Sequence, residues 1–157
     1  MPASSLQFKP AQLQDLPALI AMLAADPLGR QREDPSLPLA SSYERSFAAI
    51  DQDPNHELMT VWKPGDPPQL VGMFQLSFLP YLTYCGGWRA LLEGVRVHAD
   101  CRGQGIGKAM VQWAVWRARQ RKCHMLQLTT DKQRPQALAF YRQLGFQASH
   151  EGLKMTL

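Results

Sequence analysis

Apolar residues recur along this chain with two periods, and the switches between them mark out its elements. Leu6-Gln7-Phe8 alternates and reads as a short first strand. Leu16, Leu19, Ile20 and Leu23 then fall at i, i+3, i+4 and i+7 behind Asp15. That is the stripe and capping residue of a helix, which should stop near Asp26-Pro27. Gly29, Pro35 and Pro38 make Leu28–Ala40 a loop, and a second helix is expected from about Ser42 to Asp51. Leu58–Trp62 and Leu70–Leu79 are predicted to pair as an antiparallel hairpin around the turn Lys63–Gln69, with Gly65, Pro67 and Pro68. After a loop over Pro80–Gly87 comes a strand, Trp88–Val97, and then a helix from Gly105 to about Gln120. Ile106, Met110, Trp113 and Ala114 share one face of that helix. Met125–Thr129 reads as a strand, Pro135–Leu144 as a helix ended by Gly145, and residues 146–157 as one or two closing strands. The order predicts an α+β fold, a largely antiparallel sheet with helices packed on it.

The chain of 157 residues, 45% hydrophobic and 19% charged, is expected to form one ordinary globular domain over 1–157. No apolar run approaches the roughly 18–20 residues a membrane span needs. The start Met1-Pro2-Ala3-Ser4-Ser5 lacks the basic and apolar stretches of a secretory signal, so a cytoplasmic address is expected. A net charge of +4 is modest. Its densest stretch, Arg117, Arg119, Arg121 and Lys122, ends a predicted helix, where cations complement the helix dipole; no nucleic-acid partner is expected. Cys85, Cys101 and Cys123 form no CxxC pair, and the four histidines show no i, i+4 pairing. Neither a disulfide framework nor a metal site is expected.

Candidate chemistry is concentrated after the third long strand. Glu93-Gly94-Val95-Arg96-Val97 leads to Arg102-Gly103-Gln104-Gly105-Ile106-Gly107-Lys108, which places a strand, a glycine-rich turn and a helix start in succession. Glycines let several N–H groups converge on a ligand, the helix start adds partial positive charge, and Arg102 and Lys108 add full charges. Such a turn suits a pyrophosphate. It is not a P-loop, which needs glycine where Arg102 stands and Ser or Thr where Ala109 stands. Nor is it a dinucleotide fingerprint, whose third glycine would fall on Lys108.

Arg-x-x-Gly-x-Gly between strand and helix resembles the pyrophosphate loop of the GCN5-related N-acetyltransferase (GNAT) family. Val95-Arg96-Val97 just before it, and Ala139-Phe140-Tyr141-Arg142-Gln143-Leu144-Gly145-Phe146 about thirty residues after it, extend the likeness over roughly Leu70 to Phe146. The resemblance implies a three-layer α/β/α fold whose mixed, mostly antiparallel sheet splays at the strand before the loop. It implies acetyl-CoA as co-substrate, no metal, and direct transfer of acetyl to a primary amine of a small molecule or peptide in a ternary complex. Cofactor contacts then fall to Val95, Arg96, Val97, Arg102, Gly103, Gln104, Gly105, Ile106, Gly107 and Lys108. Tyr141 becomes the general acid for the departing thiolate, and Glu93 a base for the amine. Strand alternation would put Glu93, Val95 and Val97 on one face. Relatives carry Asn seven residues before the tyrosine; here Arg134 stands there, so that pantetheine contact falls to Arg134 or a neighbour such as Asp131, or is missing. The acceptor would enter between the first two helices and the Pro80–Gly87 loop. A homodimer through an edge at Met155-Thr156-Leu157 would follow family habit. The alternative is a catalytically silent acyl-CoA sensor.

Overall fold

The computed structural model describes residues 6–157 and divides after Gln127 into two units. In the first, β1 (Gln7–Pro10), β2 (His56–Lys63), β3 (Gln69–Pro80), β4 (Trp88–Val97) and β5 (Met125–Gln127) lie side by side in chain order. Adjacent strands are antiparallel except β4 and β5, which are parallel. Parallel neighbours cannot be joined by a tight turn, and α5 (Ile106–Gln120) makes the crossover. Three helices lie between β1 and β2: α1 (Leu16–Leu23), a single turn α2 (Pro27–Arg30) and α3 (Ser41–Gln52).

Successive β3 residues face opposite sides of the sheet, and each side buries different helices. Met73 packs with Leu16, Leu19 and Met22 of α1 and Phe47 of α3. Its neighbour Phe74 meets Trp113 of α5 at 5.5 Å, and Trp113 stacks on Phe8 at 5.4 Å. Ile106, Met110 and Ala114 are buried along the same helix, as its apolar stripe predicts. Helices therefore cover both faces, which is the expected α/β/α layering of an open mixed sheet.

Some elements differ from expectation. The turn α2 overlaps the start of the expected Leu28–Ala40 loop, because the Asp26 carboxylate accepts a hydrogen bond from Gly29 N at 2.7 Å and Pro27 is pre-set for a first helical turn. In Pro80–Gly87, α4 (Thr83–Gly86) has Tyr84 and Cys85 left-handed, at φ 53° and 57°. No strand is present among the described residues after Phe146, which corrects the expected closing strands. A strand needs a ladder for its N–H and C=O groups, whereas residues 147–157 are exposed and Ser149 N bonds only two residues back, to Gln147 O. The Met155-Thr156-Leu157 edge expected for a homodimer is thus not formed.

The arginines near the end of α5 do more than complement the helix dipole. Arg117 donates from Nε to both Glu57 oxygens at 3.0 Å and from Nη2 to Oε1, and these bonds push its pKa above the ordinary value. Arg121 reaches Glu57 at 3.9 Å, donates to Pro54 O and Asn55 Oδ1 at 2.9 Å, and lies 4.3 Å from the Phe78 ring centre. The cluster ties α5 to the start of β2.

In the second unit, α6 (Pro135–Gln143) ends in a clasp. Phe146 N donates to Tyr141 O at 3.1 Å, Gly145 N donates to Arg142 O at 3.0 Å, and Gly145 turns left-handed at φ 95°. This is a Schellman ending, completed by the ring contact between Tyr141 and Phe146 at 5.6 Å.

Removing the carboxylate that serves two arginines should be costly. Glu57→Ala is expected to lower unfolding free energy by about 1–3 kcal/mol, as for other charged hydrogen bonds. Urea denaturation would show it, and a double-mutant cycle with Arg117→Ala should return a favourable coupling.

Candidate functional site

The site begins as an irregularity in β4. Glu93 stands opposite Gln75 and Arg96 opposite Met73, so Gly94 and Val95 together face the single residue Phe74. Gly94 is left-handed at φ 60°, the geometry of a glycine bulge. The extra residue breaks the alternation expected of this strand. Glu93 and Arg96, not Glu93 and Val97, share the face on which Met73 packs against α1 and α3. Beyond the bulge, β4 keeps β3 on one side. On the other, β5 pairs only with Arg89–Leu91, so no strand among the described residues lines Leu92–Val97 there. The expected splay is present.

Glu93 is exposed and makes no ion pair among the described residues. Two arginines near it on β4 are engaged elsewhere. Arg96 Nη1 donates to Val95 O at 2.8 Å. The Arg89 guanidinium lies 4.5 Å from the Tyr81 ring centre and 5.2 Å from that of Tyr84, and donates to Thr83 Oγ1 and Gln127 Oε1.

The chain then makes the expected turn. His98 N donates to Val71 O at 2.8 Å, a short 3-10 turn covers Ala99–Cys101, and the buried Cys101 anchors it. Gly103 and Gly105 are left-handed at φ 73° and 77°, with nothing within 4 Å of where a Cβ would stand. Glycine is required there by the backbone, and the open space leaves room for a ligand. Gly105 caps α5, whose first N–H groups, on Ile106, Gly107 and Lys108, have no acceptor within the helix. Arg102 is exposed and its Nε donates to Val97 O at 3.4 Å. Lys108 is exposed one turn into the helix. The strand edge, the paired left-handed glycines and the helix start form one continuous stretch that can take an extended amide chain followed by a diphosphate.

One residue of this region was not legible in the sequence. Lys63, the last residue of β2, donates from Nζ to Gln104 Oε1, and Gln104 Nε2 donates to Asp100 O at 3.3 Å. Only the sheet order, which sets the β2–β3 turn beside the β4–α5 turn, brings Lys63 there.

Around the expected acceptor loops, Tyr43 Oη donates to Glu33 Oε2 at 2.8 Å and accepts from Asp34 N at 3.1 Å, fastening the segment before α3. Burial raises the Tyr43 pKa, while the hydrogen bond from the Ser36 side chain, then that from its backbone, lowers that of Asp34. An open groove of about 550 Å³ lies elsewhere, among Phe8, Phe47, Trp113, Trp116 and Arg117. On α5 it is roughly 16 Å from the glycine turn, at 1.5 Å per residue from Ile106 to Arg117.

In the second unit Tyr141 is half-buried, its ring edge-on to Phe140 at 5.1 Å and to Phe146. Arg134 is the N-cap of α6, and its N–H donates to Asp131 O at 2.9 Å. The Asp131 carboxylate accepts from Gln133 N, a local turn bond. No group of three or more metal-ligating side chains occurs among the described residues, and no helix is long and apolar enough to cross a membrane.

Known proteins resemble this chain in sequence and in fold. The model of the acetyltransferase (GNAT) family covers residues 21–146. Over 109 residues, 69% of this chain and 68% of the relative, the sequence is 30% identical to an aminoalkylphosphonate N-acetyltransferase of Salmonella typhimurium. Among solved structures, one described as a transcriptional regulator from Bacillus halodurans C-125 is 54% identical, with a TM-score of 0.91 over 97% of this chain and 99% of that one. A "predicted acetyltransferase with acetyl-CoA" from Clostridium acetobutylicum shares the fold at 20% identity, with a TM-score of 0.72 over 96% of both chains.

Because Gly105 needs its left-handed backbone but not the empty space, its replacements should rank by backbone tolerance. Gly105→Ala is expected to cost about 1–2 kcal/mol of stability and Gly105→Asn less, since Asn accepts this conformation. Chemical denaturation of the two variants would check the order; equal costs would mean the turn relaxes away from positive φ.

Proposed function

The chain belongs to the acetyltransferase (GNAT) family, and on that premise we propose that it moves the acetyl group of acetyl-CoA to a primary amine within a ternary complex. What supports the donor is the continuity of the free β4 edge with the turn Arg102–Gly107 at the start of α5. On this reading the N–H groups of Gly103 to Lys108 hold the pyrophosphate, helped by the charges of Arg102 and Lys108. The main chain at Val95 to Val97 receives the pantetheine arm. Only the N–H groups of this stretch can donate to the thioester carbonyl and polarise it, while the Val95 and Val97 carbonyls accept from arginine side chains.

The amine nitrogen attacks that carbonyl and must lose a proton; the C–S bond breaks and the thiolate must gain one. Glu93, exposed and without an ion-pair partner among the described residues, takes the first proton directly or through water. Tyr141 supplies the second. A departing thiol with a pKa near 8.5 is already a fair leaving group, so the tyrosine's contribution is modest. The acceptor is a small amine or peptide amine, and similarity to the Salmonella aminoalkylphosphonate N-acetyltransferase supports trying amines that also bear an anionic group first. Residues 1–157 act as one catalytic domain.

The 54% identical structure described as a transcriptional regulator favours a second reading, an acyl-CoA-binding regulatory protein without turnover. Calorimetric titration with acetyl-CoA, followed by thiol release over aminoalkylphosphonates, polyamines, aminoglycosides and peptides, separates the two. Binding with release supports transfer, binding without release supports the regulator, and no binding ends both.

For the enzyme, Tyr141→Phe is expected to lower turnover roughly tenfold to a hundredfold with acetyl-CoA affinity nearly intact. A parallel fall in affinity would return Tyr141 to a packing role. Glu93→Gln should reduce activity most at low pH, where the least free amine is present, and an unaltered pH profile would remove it as base. Initial rates against both substrates should give intersecting rather than parallel double-reciprocal lines.

A further inference from the structure

Lys63 is brought to the glycine turn by the fold alone. It ends β2, where it pairs with Gln69, and its ammonium rests on the side-chain oxygen of Gln104, 41 positions away in sequence. Gln104 stands between the two left-handed glycines, so its main-chain N–H belongs to the same concavity as theirs while its side chain carries Lys63 at the rim. The glutamine is held from its other end too, by the bond from its amide to Asp100 O. Among the described residues Lys63 is paired with no carboxylate. A lysine ammonium has three donors, and one is spent on Gln104. Its charge is thus placed beside the anion-binding turn, with donors to spare and no ion pair to a carboxylate among the described residues.

We propose that Lys63 is a further cofactor-binding residue, which contacts the pyrophosphate of acetyl-CoA from the β2–β3 side while Gln104 holds it in place. The inference rests on the donor reading given above. It adds to the turn a cation that the strand–turn–helix segment does not contain. Because the contact lies at the nucleotide end of the donor, it serves binding and leaves the acetyl transfer itself untouched. Arg102 and Lys108 approach the same group from the turn and the helix, so Lys63 supplies the third side.

The test compares Lys63→Ala, Lys63→Gln, Lys63→Arg and Gln104→Ala in the full chain, by calorimetry with acetyl-CoA and by steady-state kinetics. Lys63→Ala and Lys63→Gln are each expected to weaken acetyl-CoA about tenfold, as loss of one charged hydrogen bond at a partly exposed site should. The maximal rate should stay unchanged, Lys63→Arg should remain within about threefold of wild type, and Gln104→Ala, which keeps the charge, should lose less than either neutral variant. The loss should persist with acetyl-dephospho-CoA, which keeps the pyrophosphate, and vanish with S-acetylpantetheine, which has none. Unchanged affinity in Lys63→Ala would overturn the inference, as would rescue by Lys63→Gln, which would make Lys63 a brace for the turn. Disappearance of the loss with acetyl-dephospho-CoA would also overturn it. Failure of the wild-type protein to bind acetyl-CoA would instead defeat the donor reading on which the inference stands.

Discussion

A strand can lend its backbone to a ligand only while one of its edges has no partner strand. Most sheets close or cover such edges, since an open row of N–H and C=O groups invites pairing with another chain. Here the opening is internal and short. β4 is held by β3 along most of its length, yet β5 follows it only over Arg89–Leu91 before leaving. The glycine bulge at Gly94 and Val95 sits within the stretch that β5 abandons, and it increases the local twist just where the strand must lead into the turn at Arg102. On the proposed reading, the helix start, the two left-handed glycines and the cations around them become useful because that edge can lead a ligand to them.

The buried faces support this arrangement. With Met73 committed to α1 and α3, and Phe74 to Trp113 of α5, β3 is fixed from both sides and β4 inherits its position. The clamp of Arg117 and Arg121 on Glu57 then holds the far end of α5 against β2. The helix whose first turn faces the candidate ligand is therefore secured about three turns away from it, and its N-terminal N–H groups are left free of structural duty.

Long periodic segments were readable in the sequence because a single face decides them. α5 shows its stripe of Ile106, Met110 and Ala114 directly, and the β2–β3 hairpin shows its strands and turn residues. The glycine turn was equally legible, since positive φ and a helix start leave a mark in residue type. What escaped depended on partners. The bulge was hidden because Gly94 reads like any strand glycine until Phe74 is known to face two residues. Lys63 was hidden because its relation to Gln104 exists only through the sheet order. The closing strands failed for the opposite reason: Leu153, Met155 and Leu157 alternate as a strand would, but alternation alone does not provide a ladder to join.

The ending of α6 has a consequence for how this part of the protein can vary. Tyr141 gives its carbonyl to Phe146, shares a ring contact with it, and relies on Gly145 to reverse the chain between them. The tyrosine's place is thus tied to where its helix stops as well as to the Phe140 ring beside it. Inserting or deleting a residue between Tyr141 and Gly145 would move the reversal by about 100° around the helix axis and carry Phe146 away from the ring. Length in this short stretch is accordingly less free to drift than composition. Arg142 and Gln143, both exposed, can be exchanged for other helix formers while the count of residues between tyrosine and glycine must stay fixed.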